Sequence, residues 1–160
     1  YLVNKAKHSD DVPKKIVVTN RSEGRLKEMQ HIHSMLKLPF TIEYHHCPTP
    51  SDNDVLVNSL PEGSLVINAT GLGKDGPGSP VTDAAIFPKN GYAWEFNYRG
   101  ELVFMDQARA QQKARNLTIE DGWVYFIHGW TRVIAEVFHI DIPTEGPEFD
   151  TISQIAKETR

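Results

Sequence analysis

Short apolar runs alternate with longer amphipathic stretches along this chain. Runs rich in β-branched residues predict strands at 15–19, 40–45, 65–67, 92–96 and 116–119. Apolar residues at helical spacing, together with capping residues, predict helices at 23–36, 51–60, 82–87, 104–114, 123–138 and 149–157. Short, wholly apolar strands that alternate with helices are typical of an α/β fold, with a parallel sheet covered by helices on both faces.

The helix at 123–138 has the most regular pattern. Its apolar stripe consists of Trp123, Phe126, Ile127, Trp130, Val133, Ile134, Val137 and Phe138. The sequence contains no internal repeat and no low-complexity tract, and its 160 residues fit one domain, so we interpret 1–160 as a single α/β domain.

Parallel sheets of this kind bind ligands outside the carboxyl ends of their strands. The first such end carries Asn20, Arg21 and Ser22, with Arg25 one helical turn later. Arginine at this place in a dinucleotide-binding fold accommodates the 2′-phosphate of NADP, where an acidic residue accepts the ribose of NAD. A serine cap and the helix N-terminus add further anion affinity. The alternative is a solvated helix start with ordinary surface arginines.

Two further strand ends contain glycine. Residues 71–76 match the pattern GxGxxG, but Pro77 and Pro80 follow and prevent a long helix, so we interpret this segment as a flexible loop. At 120–123, Asp121 is a natural N-cap and Gly122 allows a flat ligand to approach the backbone. A plain capping turn explains this second segment equally well.

Composition and charge exclude several functions. A net charge of −4 argues against sequence-independent nucleic-acid binding. No apolar run reaches the ~18 residues of a membrane span, and no signal peptide is visible. The one cysteine, Cys47, fits a small buried residue in a reducing, cytoplasmic compartment. The histidines show no metal-ligand spacing, and His128 on the last large helix fits a core or crevice residue. No metal site is therefore expected.

Taken together, the strand ends resemble the shikimate dehydrogenase family. Residues 18–25 resemble its NRTxxR motif, residues 66–73 resemble its NATxxG loop, and Asp121-Gly122 resembles its DG turn. Glu95 to Tyr98 stands where that family has an Asp-x-x-Tyr segment. The match runs from about 15 to 139 and implies the Rossmann-like, C-terminal NADP-binding domain of a shikimate or quinate dehydrogenase-like protein.

The resemblance implies a role for each matched position. The 2′-phosphate of NADP would be held by Asn20, Arg21, Ser22 and Arg25. The ribose and nicotinamide side of the cofactor would be lined by Asn68, Ala69 and Thr70. Phe96 and Gly122 would touch the nicotinamide, and Tyr98 would face the substrate. The implied activity is NADP-dependent interconversion of 3-dehydroshikimate and shikimate, or of the quinate pair, and a homodimer is left open.

The chain also departs from that family. The family's first strand and glycine-rich loop should precede Val17, and residues 1–14 of this chain contain neither. The catalytic lysine and aspartate of the family belong to an N-terminal substrate domain, so no catalytic residue is expected here. Because the chain starts at Tyr1, we interpret it as a fragment or a processed protein that is inactive alone.

Three single positions depart as well. Glu95 replaces the usual aspartate, Gly129 stands at the substrate-binding glutamine, and Tyr125 replaces a methionine near the nicotinamide. The last two leave open an alternative function, a non-catalytic NADP-sensing or interaction module.

Overall fold

The computed structural model describes residues 8–158, which form a mixed α/β structure. In chain order the elements are β1 (Lys15–Asn20), α1 (Glu23–Ser34), β2 (Thr41–His46), α2 (Pro50–Asn58), β3 (Leu65–Asn68), β4 (Tyr92–Glu95), α3 (Val103–Arg115), β5 (Thr118–Glu120), α4 (Trp123–Phe138) and α5 (Pro147–Glu158). The sequence predicts neither a first strand nor a glycine-rich loop in residues 1–14. Of these, residues 8–14 contain no helix or strand, and residues 1–7 lie outside the described part of the chain.

All strand pairs in residues 8–158 are parallel, as predicted, but they form two sheets instead of one. The first sheet pairs β1 with β2, from Lys15 opposite Thr41 to Asn20 opposite His46. The second has the order β3-β4-β5. The strand ends that carry the predicted site therefore belong to two separate sheets.

The core lies on one face of the three-stranded sheet. Alternate residues of β3, β4 and β5 (Val66, Ala93 and Ile119) pack there against α2, α3 and the segment before β4. The buried members of this cluster are Val57, Val81, Ala85, Phe87, Ala93, Phe104, Ala108 and Leu117. On the opposite face, the Trp94 ring contacts Tyr125 of α4, at a centroid distance of 6.1 Å. Both faces of this sheet thus contact helices.

The predicted helix at 82–87 does not form. Side chains of α2 and α3 take the backbone amides that an i→i−4 ladder would use: the N–H of Ile86 donates to Asn58 Oδ1 (2.6 Å), and the N–H of Phe87 donates to Gln111 Oε1 (3.1 Å). The segment is instead an irregular turn, because these distant hydrogen bonds satisfy its backbone.

The start of α2 differs from the prediction by two residues. The N-cap is Thr49 rather than Ser51 or Asp52, and Pro50 occupies the first helical turn. The Thr49 N–H donates to Asp52 Oδ2 (2.8 Å), so Asp52 serves as the acidic residue of a capping box.

Helix α4 buries much less of its apolar stripe than the pattern suggests. Only Ile127 and Thr131 are buried, whereas Trp130, Val137 and Phe138 are each more than half exposed. The C-terminal half of α4 therefore leaves a large apolar surface open in the described structure. None of the helices between residues 8 and 158 combines the length and hydropathy needed to cross a membrane.

Candidate functional site

The first part of the candidate site is the turn from β1 into α1. Ser22 is the N-cap, as predicted: its Oγ accepts from the N–H of Arg25 (3.4 Å), while Asn20 Oδ1 accepts from the N–H of Ser22 (2.8 Å). Arg21 and Arg25 are both exposed. Asn20 thus shapes the turn, and the two exposed arginines belong to the residues at the positive end of the helix.

The charges around this turn favour an anion. The imidazole of His46, at the end of β2, lies 3.1 Å from the carbonyl oxygen of Arg21 and so contacts the same turn. Glu23 is the acidic residue of the first turn of α1, and a hydrogen bond and ion pair with Lys27 (2.9 Å) keep the pKa of its carboxyl below the usual value. The ion pair with Lys27 thus partly offsets the charge of Glu23 beside the two arginines.

The second part of the site is the turn after β3. Asn68 is buried: its Nδ2 donates to Glu95 Oε2 (2.7 Å), and its Oδ1 accepts from the N–H (3.0 Å) and the Oγ1 (2.7 Å) of Thr70. Ala69 and Thr70 are exposed. Of the three residues expected to line the cofactor, these two reach the surface, while the Asn68 side chain holds the turn together.

The buried carboxylate of Glu95 links β3 to β4. Besides the bond from Asn68, its Oε1 accepts from the N–H (2.9 Å) and the Nδ2 (2.7 Å) of Asn97. Burial raises the pKa of Glu95, and the three hydrogen bonds partly offset that effect. Sequence reasoning noted Glu95 only as a departure from a family pattern. In the sequence, the signal for Glu95 is an acidic residue at the end of an otherwise apolar segment, 92–95.

The third part is the turn before α4, where Gly122 is buried against β4. A Cβ atom at Gly122 would lie 1.9 Å from the carbonyl oxygen of Phe96, and the Gly122 N–H donates to the carbonyl of Asn97 (3.1 Å). Gly122 is also the N-cap of α4, whereas Asp121, expected in that role, precedes it and accepts from the N–H of Trp123 (2.9 Å). The protein's own backbone packing thus already requires glycine here.

Aromatic rings cover the surface beside these turns. Phe96 stacks on Tyr125 with a centroid distance of 4.9 Å and an interplanar angle of 18°. Tyr98 packs on Phe126 (4.2 Å) and Trp123 (5.5 Å). Phe96, expected to touch the nicotinamide, and Tyr98, expected to face the substrate, therefore each pack on aromatic residues of the first turn of α4.

Other candidates from the sequence lie elsewhere or have structural roles. The GxGxxG segment is a loop, as predicted, closed by a bond from the Gly73 N–H to the Gly76 carbonyl (2.7 Å). His128 stacks on Phe149 of α5 (4.3 Å), which is the packing role expected of it, and Cys47 is buried. Within residues 8–158, no group of three or more His, Cys, Asp or Glu side chains is arranged to hold a metal ion.

The structure thus brings together three of the four motifs, namely the turn after β3, the segment after β4 and the DG turn. The fourth motif, at the end of β1, belongs to the other sheet. Asn68, Ala69, Thr70, Phe96 and Gly122 meet at the carboxyl end of the three-stranded sheet. The predicted phosphate-binding residues lie at the same end of their own strand, β1, in the other sheet. Comparison of the chain with protein-family models, curated proteins and solved structures found no match.

Proposed function

We propose that this chain is the cofactor-binding part of an NADP-dependent oxidoreductase of the shikimate dehydrogenase type. The observation that carries the proposal is the meeting of three separate sequence motifs at one end of one sheet. The turn after β3, the Phe96-Asn97 segment and Gly122 are joined by direct hydrogen bonds and backbone contact. Carboxyl ends of parallel strands are the usual place for a nucleotide in α/β sheets.

The turn at β1 fits the adenosine 2′-phosphate. Two exposed arginines, a serine hydroxyl and a helix N-terminus belong to this turn, and each is a typical phosphate partner. Glu23, the acidic residue nearest the turn, is paired with Lys27, so it does not compete strongly for the arginines. This donor set favours NADP over NAD.

We further propose that the two sheets are parts of one Rossmann-like sheet whose first strand, with its glycine-rich loop, would lie between β1 and β3. Parallel strands made of apolar residues are normally buried on both faces. In β3, however, Leu65 is 46% and Ile67 is 38% exposed. Within residues 8–158, β1 pairs only with β2 and β3 pairs only with β4, so each of the two strands has one edge without a strand partner. A parallel strand inserted between them would satisfy both edges.

In the proposed reaction, NADP supplies reversible hydride transfer to a ring carbon of a polyhydroxylated cyclohexane or cyclohexene carboxylate. The residues of this chain bind and orient: Arg21 and Arg25 hold the phosphate, and Thr70 and Phe96 border the nicotinamide side. Tyr98 faces the substrate. The proton is handled by a lysine outside this chain, so the 160 residues alone are expected to be inactive.

NADPH binding to the full-length gene product tests the cofactor assignment. The double variant Arg21→Ala/Arg25→Ala is expected to lose roughly 100-fold in NADPH affinity and nothing in NADH affinity, because two charge-assisted hydrogen bonds disappear. Arg132→Ala is the matched control, since Arg132 is an exposed arginine that pairs with Glu136 on α4. Equal NADPH affinity in the double variant and the control would reject the phosphate site.

Turnover with defined substrates tests the reaction. We expect the full-length protein to consume NADPH with 3-dehydroshikimate or with 3-dehydroquinate. The 160-residue chain serves as the inactive control, and turnover by it would contradict the assignment of the proton-transferring lysine to another domain.

A non-catalytic NADP-sensing module is the second candidate. It is favoured by the stacking of Tyr125 on Phe96, which covers part of the surface assigned to the nicotinamide, and by the open space around Gly129, where the resemblance would place a substrate-binding side chain. Tight NADPH binding by the full-length protein without turnover of either substrate would select this candidate.

A further inference from the structure

We propose that Glu95 is a positioning residue: its buried carboxylate fixes the turn after β3 and the segment after β4 in the geometry that receives the nicotinamide half of NADP. The consequence for NADP rests on the proposed function. The structural part does not, because it concerns only how two loops are held against each other.

The carboxylate lies at the centre of a closed hydrogen-bond network. Glu95 is fully buried and accepts from Asn68 on β3 and twice from Asn97, two residues further along its own segment. Asn97 Nδ2 also reaches back to the carbonyl oxygens of Thr70 (3.0 Å) and Leu72 (3.3 Å). Apart from the backbone bond from the Phe96 N–H to the Asn68 carbonyl oxygen (3.0 Å), the hydrogen bonds between the two turns pass through Glu95 or through the side chain of Asn97, which Glu95 holds.

The acceptor oxygens of Glu95 also set the orientation of both asparagines. A carboxylate only accepts hydrogen bonds, so Asn68 and Asn97 must turn their NH₂ groups toward it. The carbonyl oxygen of Asn68 then faces Thr70, where it accepts from the backbone N–H and the hydroxyl. The exposed turn of Ala69 and Thr70 thus depends on an acceptor-only group at position 95.

Glu95→Gln makes the sharpest test of this role. Glutamine keeps the shape of the side chain but replaces one acceptor oxygen by an NH₂ donor, which would then face another donor from Asn68 or Asn97. We expect faster amide hydrogen exchange at residues 70–73 and 97–98 of the full-length protein. Asp54→Asn is the matched control, because Asp54 is also buried and accepts two hydrogen bonds, from Thr82, away from the site.

Two ligands separate positioning from general damage. In Glu95→Gln, NADPH affinity is expected to fall about tenfold, while the affinity for adenosine 2′,5′-bisphosphate stays at the wild-type value, because that ligand lacks the nicotinamide half. Asp54→Asn is expected to leave both affinities unchanged. Equal losses for both ligands would show that Glu95 acts on the whole fold, and no loss for NADPH would show that it does not position the site.

Glu95→Asp keeps the proposal testable if the glutamine variant does not fold. Aspartate keeps both acceptors but withdraws them by one methylene, so it is expected to keep the local bonds from Asn97, two residues away, and to lose the cross-strand bond from Asn68. Faster exchange should then be confined to residues 70–73. Exchange at wild-type rates there would overturn the proposal.

Failure of the wild-type protein to bind either ligand would reject the proposed function. The hydrogen-exchange rates would still test whether Glu95 holds the two turns together.

Discussion

Gly122 and Phe96 are packed backbone against backbone: a Cβ atom at Gly122 would lie 1.9 Å from the Phe96 carbonyl oxygen and 2.4 Å from its carbonyl carbon. This contact holds the start of α4 against the end of β4. It brings the DG turn and the aromatic segment, which are about 25 residues apart in sequence, into one structural unit.

Gly122→Ala is therefore expected to destabilise the protein by roughly 3 kcal/mol, the upper end of the usual cost of overpacking, because the clashing partner is backbone and cannot rotate away. Gly129→Ala is the matched control on the same helix. A Cβ atom at Gly129 meets nothing within 4 Å, so this change should stabilise α4 by up to about 1 kcal/mol through helix propensity. Urea unfolding of both variants measures the difference, and equal stability would contradict the contact.

Packing in the core of the three-stranded sheet can be tested by removing a buried side chain. Phe104 and Phe87 are almost fully buried and form an edge-to-face pair at 5.4 Å. Phe104→Ala should lower the free energy of unfolding by about 3–5 kcal/mol, from lost burial and from the cavity left behind. Phe138→Ala, on the exposed end of α4, should change it by less than about 0.5 kcal/mol. A similar loss in both variants, by thermal or urea unfolding, would mean that the exposed end of α4 is packed in solution.

Local pattern predicted the order and type of most elements and the parallel pairing, because apolar runs and helical spacing are properties of neighbouring residues. It failed at 82–87, where the backbone N–H groups of Ile86 and Phe87 bind Asn58 and Gln111 from distant helices. It also gave one sheet where two are found. Neither long-range hydrogen bonds nor the spatial order of strands can be recognised from the residues next to them in sequence.

Some features of the candidate site could likewise be predicted from neighbouring residues, and others could not. Ser22 was predicted as a helix cap from its residue type and position, and it is one. The part played by Glu95 could not be predicted, since its partners Asn68 and Asn97 become relevant only when β3 and β4 pair. The need for glycine at 122 was expected for a ligand, whereas the structure provides a reason in the contact with Phe96.

The buried charge of Glu95 should also appear in the pH dependence of stability. Burial raises the pKa of this carboxyl above 4.5, its usual value, so the folded protein favours the protonated form more than the unfolded chain does. The wild-type protein should therefore lose stability from Glu95 as the pH rises from about 4.5 through the raised pKa, and Glu95→Gln should lack that loss. Urea unfolding of both proteins between pH 4.5 and 8 measures the difference.

The direction in which the stability difference between wild type and Glu95→Gln changes with pH bears on the role of Glu95. We expect the stability of the wild-type protein relative to Glu95→Gln to decline with rising pH, because ionising a buried carboxylate without a cation among its hydrogen-bond partners is unfavourable. A buried carboxyl that destabilises the fold when ionised, yet accepts hydrogen bonds from Asn68 and Asn97, is better explained by a role in the site than by a role in stability. A constant difference across this pH range would contradict that argument, since Glu95 would then not titrate differently in the folded and unfolded states.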